Sequence, residues 1–197
     1  MAEKRHEYER EFARHGFSFR SLKWNSKSGM RLRHEELITD LTLEDKSILD
    51  VGCGFGDIIE VLKERSKDFS YTGIDMVSAF VEEARKRYPN FRFIVGDYFN
   101  EPLEESFDII LSSGVLNSNF PEPMRYRKLM IKTMFGHCRY AVAFDMAGGY
   151  PPPQNRARSK IYYADSLEIL KYCLSLTKRV ILRQHYYPKD FTLILFK

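Results

Sequence analysis

The sequence predicts an α/β fold in which a doubly wound, mostly parallel sheet of seven strands ends in an antiparallel C-terminal hairpin strand and is preceded by an N-terminal helical cap. Three observations predict it. From about residue 47 onward, short apolar or β-branched runs alternate with amphipathic stretches, the rhythm of βαβ units around a parallel sheet. Residues 184–190, which include Pro188, are all that separates the last two strand candidates. A crossover between parallel strands needs about a dozen residues or more, so this pair must be an antiparallel hairpin. Ahead of the sheet, helical candidates at 3–14 and 31–40 are joined by a polar stretch containing Gly16, Ser26, Ser28 and Gly29.

In chain order the strands are expected at 47–51, 71–75, 91–95, 107–112, 140–145, 179–183 and 191–196. Between the first two, residues 57–67 set Ile58, Ile59, Val61 and Leu62 at helical spacing; 77–87, 124–134 and 164–176 read the same way. Residues 1–45 form the cap or lid segment and 46–197 the ligand-binding domain, in what is structurally one domain of 197 residues. Hydrophobic residues at 44% and charged residues at 29% suit a folded core and argue against disorder. No apolar run approaches the roughly 20 residues that span a bilayer, and the N-terminus lacks the apolar core of a signal peptide; no membrane partner and a cytoplasmic location are expected. Cys53, Cys138 and Cys173 are scattered and the five histidines dispersed, so neither a disulfide nor a metal site is expected.

The net charge of +4 is uneven. Residues 1–33 carry nine basic and four acidic side chains, a surplus of +5 that leaves the rest of the chain at −1. Such a skew suits a cationic lid over an acidic substrate, a contact with nucleic acid, or a plain solvated helix face.

The first strand runs through Asp50-Val51-Gly52-Cys53-Gly54-Phe55-Gly56-Asp57 straight into a helix. Alternate glycines let the backbone turn sharply and let a ligand approach without meeting a Cβ atom, while the helix start offers free N–H groups. Asp57 stands where an N-cap is expected. The dinucleotide pattern GxGxxG is broken, since positions 57 and 59 hold Asp57 and Ile59, and no GKS or GKT follows to make a phosphate loop. Acids recur at the next two strand ends. Asp75 closes the second strand, where a carboxylate can accept from both hydroxyls of a ribose. Asp97 closes the third, where it can accept from an exocyclic amine, with Met76 and Tyr98 beside the two acids to cover the faces of a purine.

These segments, ILDVGCGFGD (48–57), YTGIDM (71–76), FIVGDY (93–98) and FDIILSSGVLN (107–117), resemble the four successive motifs of class I S-adenosylmethionine-dependent methyltransferases, a Rossmann-like family that also ends its sheet with an antiparallel strand. The resemblance implies that Gly52, Gly54 and Gly56 pass under the methionine part of S-adenosyl-L-methionine, that Asp50 orients the loop and the ammonium end, and that Cys53 contributes backbone only. It further implies that Asp75 binds the ribose, that Asp97 reaches the adenine amine, and that Ser112, Ser113, Gly114 and Val115 form a wall near the sulfonium.

Methyl transfer from a sulfonium is an in-line displacement that a protein assists by alignment and by excluding water, so a general base is optional and no catalytic residue is singled out. The segment after the fourth strand is Ser112-Ser113-Gly114-Val115 in place of the Asp/Asn-Pro-Pro-aromatic run of enzymes that methylate exocyclic or amide nitrogens, which argues against a nucleobase amine. Acceptor contacts are expected from Asn117, Asp145, Tyr150, Arg156, Arg158 and Tyr163 at later strand ends, and from Trp24, Arg31 and Arg33 of the cap; His185 and Tyr186 fall in the final hairpin and carry no expectation. The aromatic crowd Tyr8, Phe12, Phe17, Phe19 and Trp24 suits a closed apolar pocket and therefore a small-molecule acceptor. The alternatives are a methyltransferase acting on RNA or protein, drawn by the basic N-terminal segment, and a non-catalytic S-adenosylmethionine-binding scaffold.

Overall fold

A computed structural model describes residues 2–155 and 159–197. Helices α1 (Ala2–His15) and α2 (Lys27–Ile38) precede the alternating unit of β1 (Lys46–Val51), α3 (Ile58–Arg65), β2 (Phe69–Asp75), α4 (Ser78–Arg87), β3 (Arg92–Val95) and β4 (Phe107–Ser112). There follow α5 (Pro123–His137), β5 (Cys138–Gly149), β6 (Ala164–Asp165), α6 (Ser166–Leu176), β7 (Val180–Arg183) and β8 (Asp190–Phe196). The strand order is β3-β2-β1-β4-β5-β8-β7, with β6 pairing β5 off this path. β8 runs antiparallel to both β5 and β7, as the short connection requires.

Successive strand residues point to opposite faces, and each face has its own core. Ile48, Ile109, Ala141 and Ile194 pack with Leu37 and Ile38 of α2, Ile59 and Leu62 of α3, and Val81 and Ala84 of α4. Their neighbours Leu49, Ile110, Val142 and Leu195 pack with Met130, Ile131 and Met134 of α5 and Ile169 and Cys173 of α6. Strand order reverses between β1 and β4, and at such a switch point the crevice beyond the strand carboxyl ends is left open for a ligand.

The cap helix α2 starts at Ser26, whose hydroxyl accepts from the Gly29 N–H at 3.0 Å. It is fastened to the C-terminal hairpin. Arg33 donates to Asp190, and Arg183 donates to Glu36 at 2.6 Å and to Asp40 at 3.1 Å. A third cluster, Phe55, Val77 and Phe80, takes Tyr8 and Phe12 of α1 and Leu22 against it, so the cap covers the glycine loop.

Three local expectations need correction. β5 extends to Gly149, well past the expected end at 145, because Gly148 and Gly149 pair with Ala164 and Asp165 of the unforeseen β6. At Gly148 φ is 145°, and a Cβ there would lie 2.0 Å from the Ala164 carbonyl oxygen, so only glycine permits this pairing. Asp57 makes no capping bond; its Oδ1 instead accepts from Arg87 at 2.7 Å. The stretch beginning at Ala164 opens as strand, and its helix starts at Ser166 under Asp165, whose Oδ1 accepts from the Leu167 N–H at 2.8 Å.

Gly148→Ala is expected to lower stability by about 3 kcal/mol, since strain and a backbone overlap combine. Gly136→Ala, helical with open space around it, is expected to gain up to about 1 kcal/mol. Urea unfolding of the two variants checks both signs.

Candidate cofactor and acceptor site

A cavity of about 340 Å³ lies at the switch point, walled by the ends of β1, β2 and β4 and roofed by Tyr8, Leu22 and Trp24 of the cap. Gly52, Cys53 and Gly54 of the glycine loop border it, whereas Gly56 stands outside the lining, its Cβ position facing Ile59, Tyr88 and Phe93. Gly52, Gly54 and Gly56 all have left-handed φ, at 76°, 53° and 72°, and a Cβ on Gly52 would fall 2.3 Å from Val115 Cγ2. Cys53 between them is buried, and burial pushes its thiol well above the ordinary range, so its side chain is not a nucleophile.

The acids sit where the strands end. Asp75 Oδ2 accepts from the Gly54 N–H at 3.0 Å and Oδ1 from the Val77 N–H at 2.9 Å, tying the loop to the end of β2 while the carboxylate still borders the cavity. Burial raises this carboxyl to about 6 against those backbone hydrogen bonds. Asp50 is buried at the end of β1; burial raises it to about 7, and the Tyr71 hydroxyl, donating to its Oδ2 at 2.7 Å, pulls the other way. Asp97 accepts from Asn100 at 2.7 Å through Oδ2, whereas its buried Oδ1 has no partner among the described residues. Met76 and Tyr98 also border the cavity, the Tyr98 hydroxyl lying 2.9 Å from His137 Nδ1.

Beyond β4, Ser113 and Gly114 line the cavity, but Ser112 is fully buried and donates to the Val51 carbonyl at 3.2 Å, a β4–β1 tie outside the lining. Asp145, at the same level of β5, is also outside it. The Ser113 hydroxyl donates to Asp145 Oδ2, and the Gly114 N–H donates to Oδ1 at 2.9 Å. Burial raises Asp145 to about 6, opposed by Ser113 and by the charge of Arg33.

The expected acceptor contacts divide. Trp24 and Asn117 line the cavity; Asn117 Oδ1 accepts from the Ala147 N–H at 2.6 Å, and Trp24 stands edge-on to His34. Arg31 is exposed and pairs with Glu64 and Glu35, Arg33 is sandwiched between Trp24 and Tyr187 with Asp190 as its partner, and Tyr150 is exposed. Tyr163 borders a separate shallow pocket with Pro153 and Lys189. Arg156 and Arg158 lie outside the described residues. Sequence reasoning missed Lys4, Lys23, His34, Phe120 and Lys160 in the lining, and Tyr71 behind Asp50. Only the aromatic crowding of the cap pointed toward any of this wall.

A bare loop, two strand-end carboxylates and an unpartnered buried oxygen make a donor and acceptor set that fits S-adenosylmethionine. Residues 48–138 match the family model described as a methyltransferase domain. Over this segment, just under half of its length, the chain is similar to class I S-adenosylmethionine-dependent methyltransferases. Among curated relatives of this chain are the demethylmenaquinone methyltransferase of Thermotoga maritima, 36% identical over 85 residues, covering 42% of this chain and 37% of the relative, and a putative methyltransferase of Invertebrate iridescent virus 6, 38% identical over 68 residues, covering 34% and 26%. The matches span less than half the length of these relatives. The N-methyltransferase NodS from Bradyrhizobium japonicum, solved with S-adenosyl-L-homocysteine, shares the fold at a TM-score of 0.66 and 17% identity over 96% of each chain. The magnesium protoporphyrin IX methyltransferase from Synechocystis, solved with its cofactor, does so at 0.63 and 17%, over 86% of this chain and 78% of that one. Both of these solved neighbours hold S-adenosylmethionine or S-adenosylhomocysteine.

Asp50 has a native pKa above the roughly 3.9 of an unfolded aspartate, so the native state binds the extra proton. Its contribution to stability is full below about pH 4 and is lost as pH rises toward 7. His34, held down at about 3 by burial and then by the charge of Arg33, works in the opposite direction, which makes the difference between variants the clean measure. Asp50→Asn keeps an oxygen for Tyr71, and its stability relative to wild type is expected to rise from pH 4 to pH 8 in denaturant titrations of the cofactor-free protein.

Proposed function

We propose that this protein transfers the methyl group of S-adenosylmethionine to a small-molecule acceptor, with residues 1–45 acting as the cap and 46–197 as the cofactor-binding domain. The observation that carries the reading is the roof: Tyr8, Leu22 and Trp24 turn the groove at the switch point into a cavity of about 340 Å³, sized for small molecules. Bound S-adenosylmethionine supplies an electrophilic methyl group on a sulfonium. Asp75 would hold the ribose hydroxyls, since each of its oxygens keeps a lone pair beyond its backbone bond, and Asp97 Oδ1 would take the adenine amine that it lacks a substitute for. Asp50 would face the ammonium, and the glycine loop would lie under the methionine chain. Ser113, whose hydroxyl proton is held by Asp145, keeps its oxygen free to accept a hydrogen bond from an acceptor O–H or N–H and so to orient it. The apolar roof excludes water from the transfer.

An RNA or protein acceptor is less well supported, because Arg5, Arg31 and Arg33 of the N-terminal segment each pair with a carboxylate of their own. The thiols Cys53, Cys138 and Cys173 are free and buried, which suits the reducing cytoplasm.

Calorimetric titration with S-adenosylmethionine and S-adenosylhomocysteine tests the reading. Asp75→Ala is expected to weaken both by about 1.5–3 kcal/mol, the loss of a charged hydrogen-bond partner; unchanged affinity removes the ribose assignment. Near pH 6.5, binding of the cofactor ammonium beside Asp50 favours its ionised form, so proton release is expected as a dependence of the heat on buffer ionisation enthalpy. Asp50→Asn should reduce that dependence to what Asp75, raised to about 6, contributes. If wild type releases no proton, Asp50 does not face the ammonium.

A further inference from the structure

Three lysines from distant parts of the chain meet at the cavity wall on one carboxylate. Lys4 of α1, Lys23 of the following turn and Lys160 just before β6 reach Glu7 at 3.2, 2.6 and 2.6 Å, and all three lysines line the cavity. Lys160 is brought there by the loop after β4, since the Asn119 N–H donates to its carbonyl at 3.0 Å and Ser118 bridges Ile161. The Tyr8 ring backs Lys23 and Lys4 at 4.7 and 5.6 Å.

The other carboxylates of the lining have partners elsewhere: Asp75 is served by Gly54 and Val77, Asp50 by Tyr71, Asp57 by Arg87 and Asp97 by Asn100. Glu7 is the only carboxylate paired with the three ammonium groups among the described residues, so this cluster by itself holds two more positive charges than negative ones. Glu7 itself reports the field: burial pushes its carboxyl up, yet the hydrogen bonds from Lys160, Lys23 and Lys4 more than reverse this and hold it at about 2. A local cluster of like charges concentrates counter-ions, and a second anionic group arriving there would meet donors already gathered around a first.

We propose that the methyl acceptor carries a carboxylate or phosphate group, and that Lys4, Lys23 and Lys160 receive it at the wall of the cofactor cavity. This rests on the methyltransferase reading. The lysines are positioning and specificity residues; they carry no step of the transfer. Lys4 and Lys23 are recessed, with side chains 18% and 28% exposed, and Lys160, at 77%, stands at the rim, an arrangement that admits a small anion from the surface to the cavity.

The test uses protein saturated with S-adenosylhomocysteine and titrated with citrate in one arm and inorganic phosphate in the other, at low ionic strength. At least one anion is expected to bind, and the stronger arm identifies the acceptor's charged group. Lys23→Gln and Lys160→Gln should each weaken that binding by about three- to tenfold, while Glu7→Gln, which enlarges the surplus, should tighten it by a similar factor. S-adenosylhomocysteine affinity should be unchanged in Lys160→Gln. The proposal is overturned if neither anion binds, if the lysine variants bind it as wild type does, or if a single-stranded oligonucleotide binds more tightly than either anion. It is equally overturned if Glu7→Gln weakens anion and S-adenosylhomocysteine together, because the cluster is then only a latch for α1. Failure of wild type to bind S-adenosylhomocysteine would instead remove the methyltransferase reading and this one with it, a result told apart by the first titration.

Discussion

One carboxylate holds the cofactor floor in shape. Asp75 takes the Gly54 N–H on one oxygen and the Val77 N–H on the other, so the left-handed loop after β1, the end of β2 and the start of α4 are fixed to a single side chain. The loop cannot hold itself: residues 52–56 form turns, and their glycines add conformational freedom that the fold must remove. A charge-assisted bond in a half-buried setting supplies that restraint, and its raised pKa is the sign that burial costs the charge something. The same group that shapes the floor therefore also borders the cavity.

Much of the fold was legible because its signals are local. The seven main strands announce themselves as apolar runs, and the short connection between β7 and β8 dictates the antiparallel end. β6 was not legible, since two residues carry no period and Gly148-Gly149 reads as a turn; the pairing depends on how closely two backbones approach, which sequence spacing does not encode. Asp57 was misread for a related reason. An aspartate before a helix suits a cap, but Arg87, thirty residues on, offers it a charged donor instead.

At the site, the residues that border the cavity from the strand ends were readable, as was Trp24 of the cap, whereas the charged residues that border it from the cap were not. Asp50, Asp75 and Asp97 follow from the register of the sheet. Arg31 and Arg33 were drawn to the cavity by charge alone, yet each found a nearer carboxylate in Glu64 or Asp190. Lys160, by contrast, became part of the wall because the segment before β6 bridges Ser118. Charge gives the range of an interaction but not the path of the chain, and only the folded coordinates decide which partner is within reach.

The pairing of Arg33 with Asp190, and of Glu36 and Asp40 with Arg183, joins the second helix to strands made some 150 residues later. Contacts so far apart in sequence form late, because a long loop must close before they offer any reward. The cap helix therefore cannot be fastened over the crevice until β7 and β8 have been made, so closure comes after every strand that shapes the crevice has been laid down.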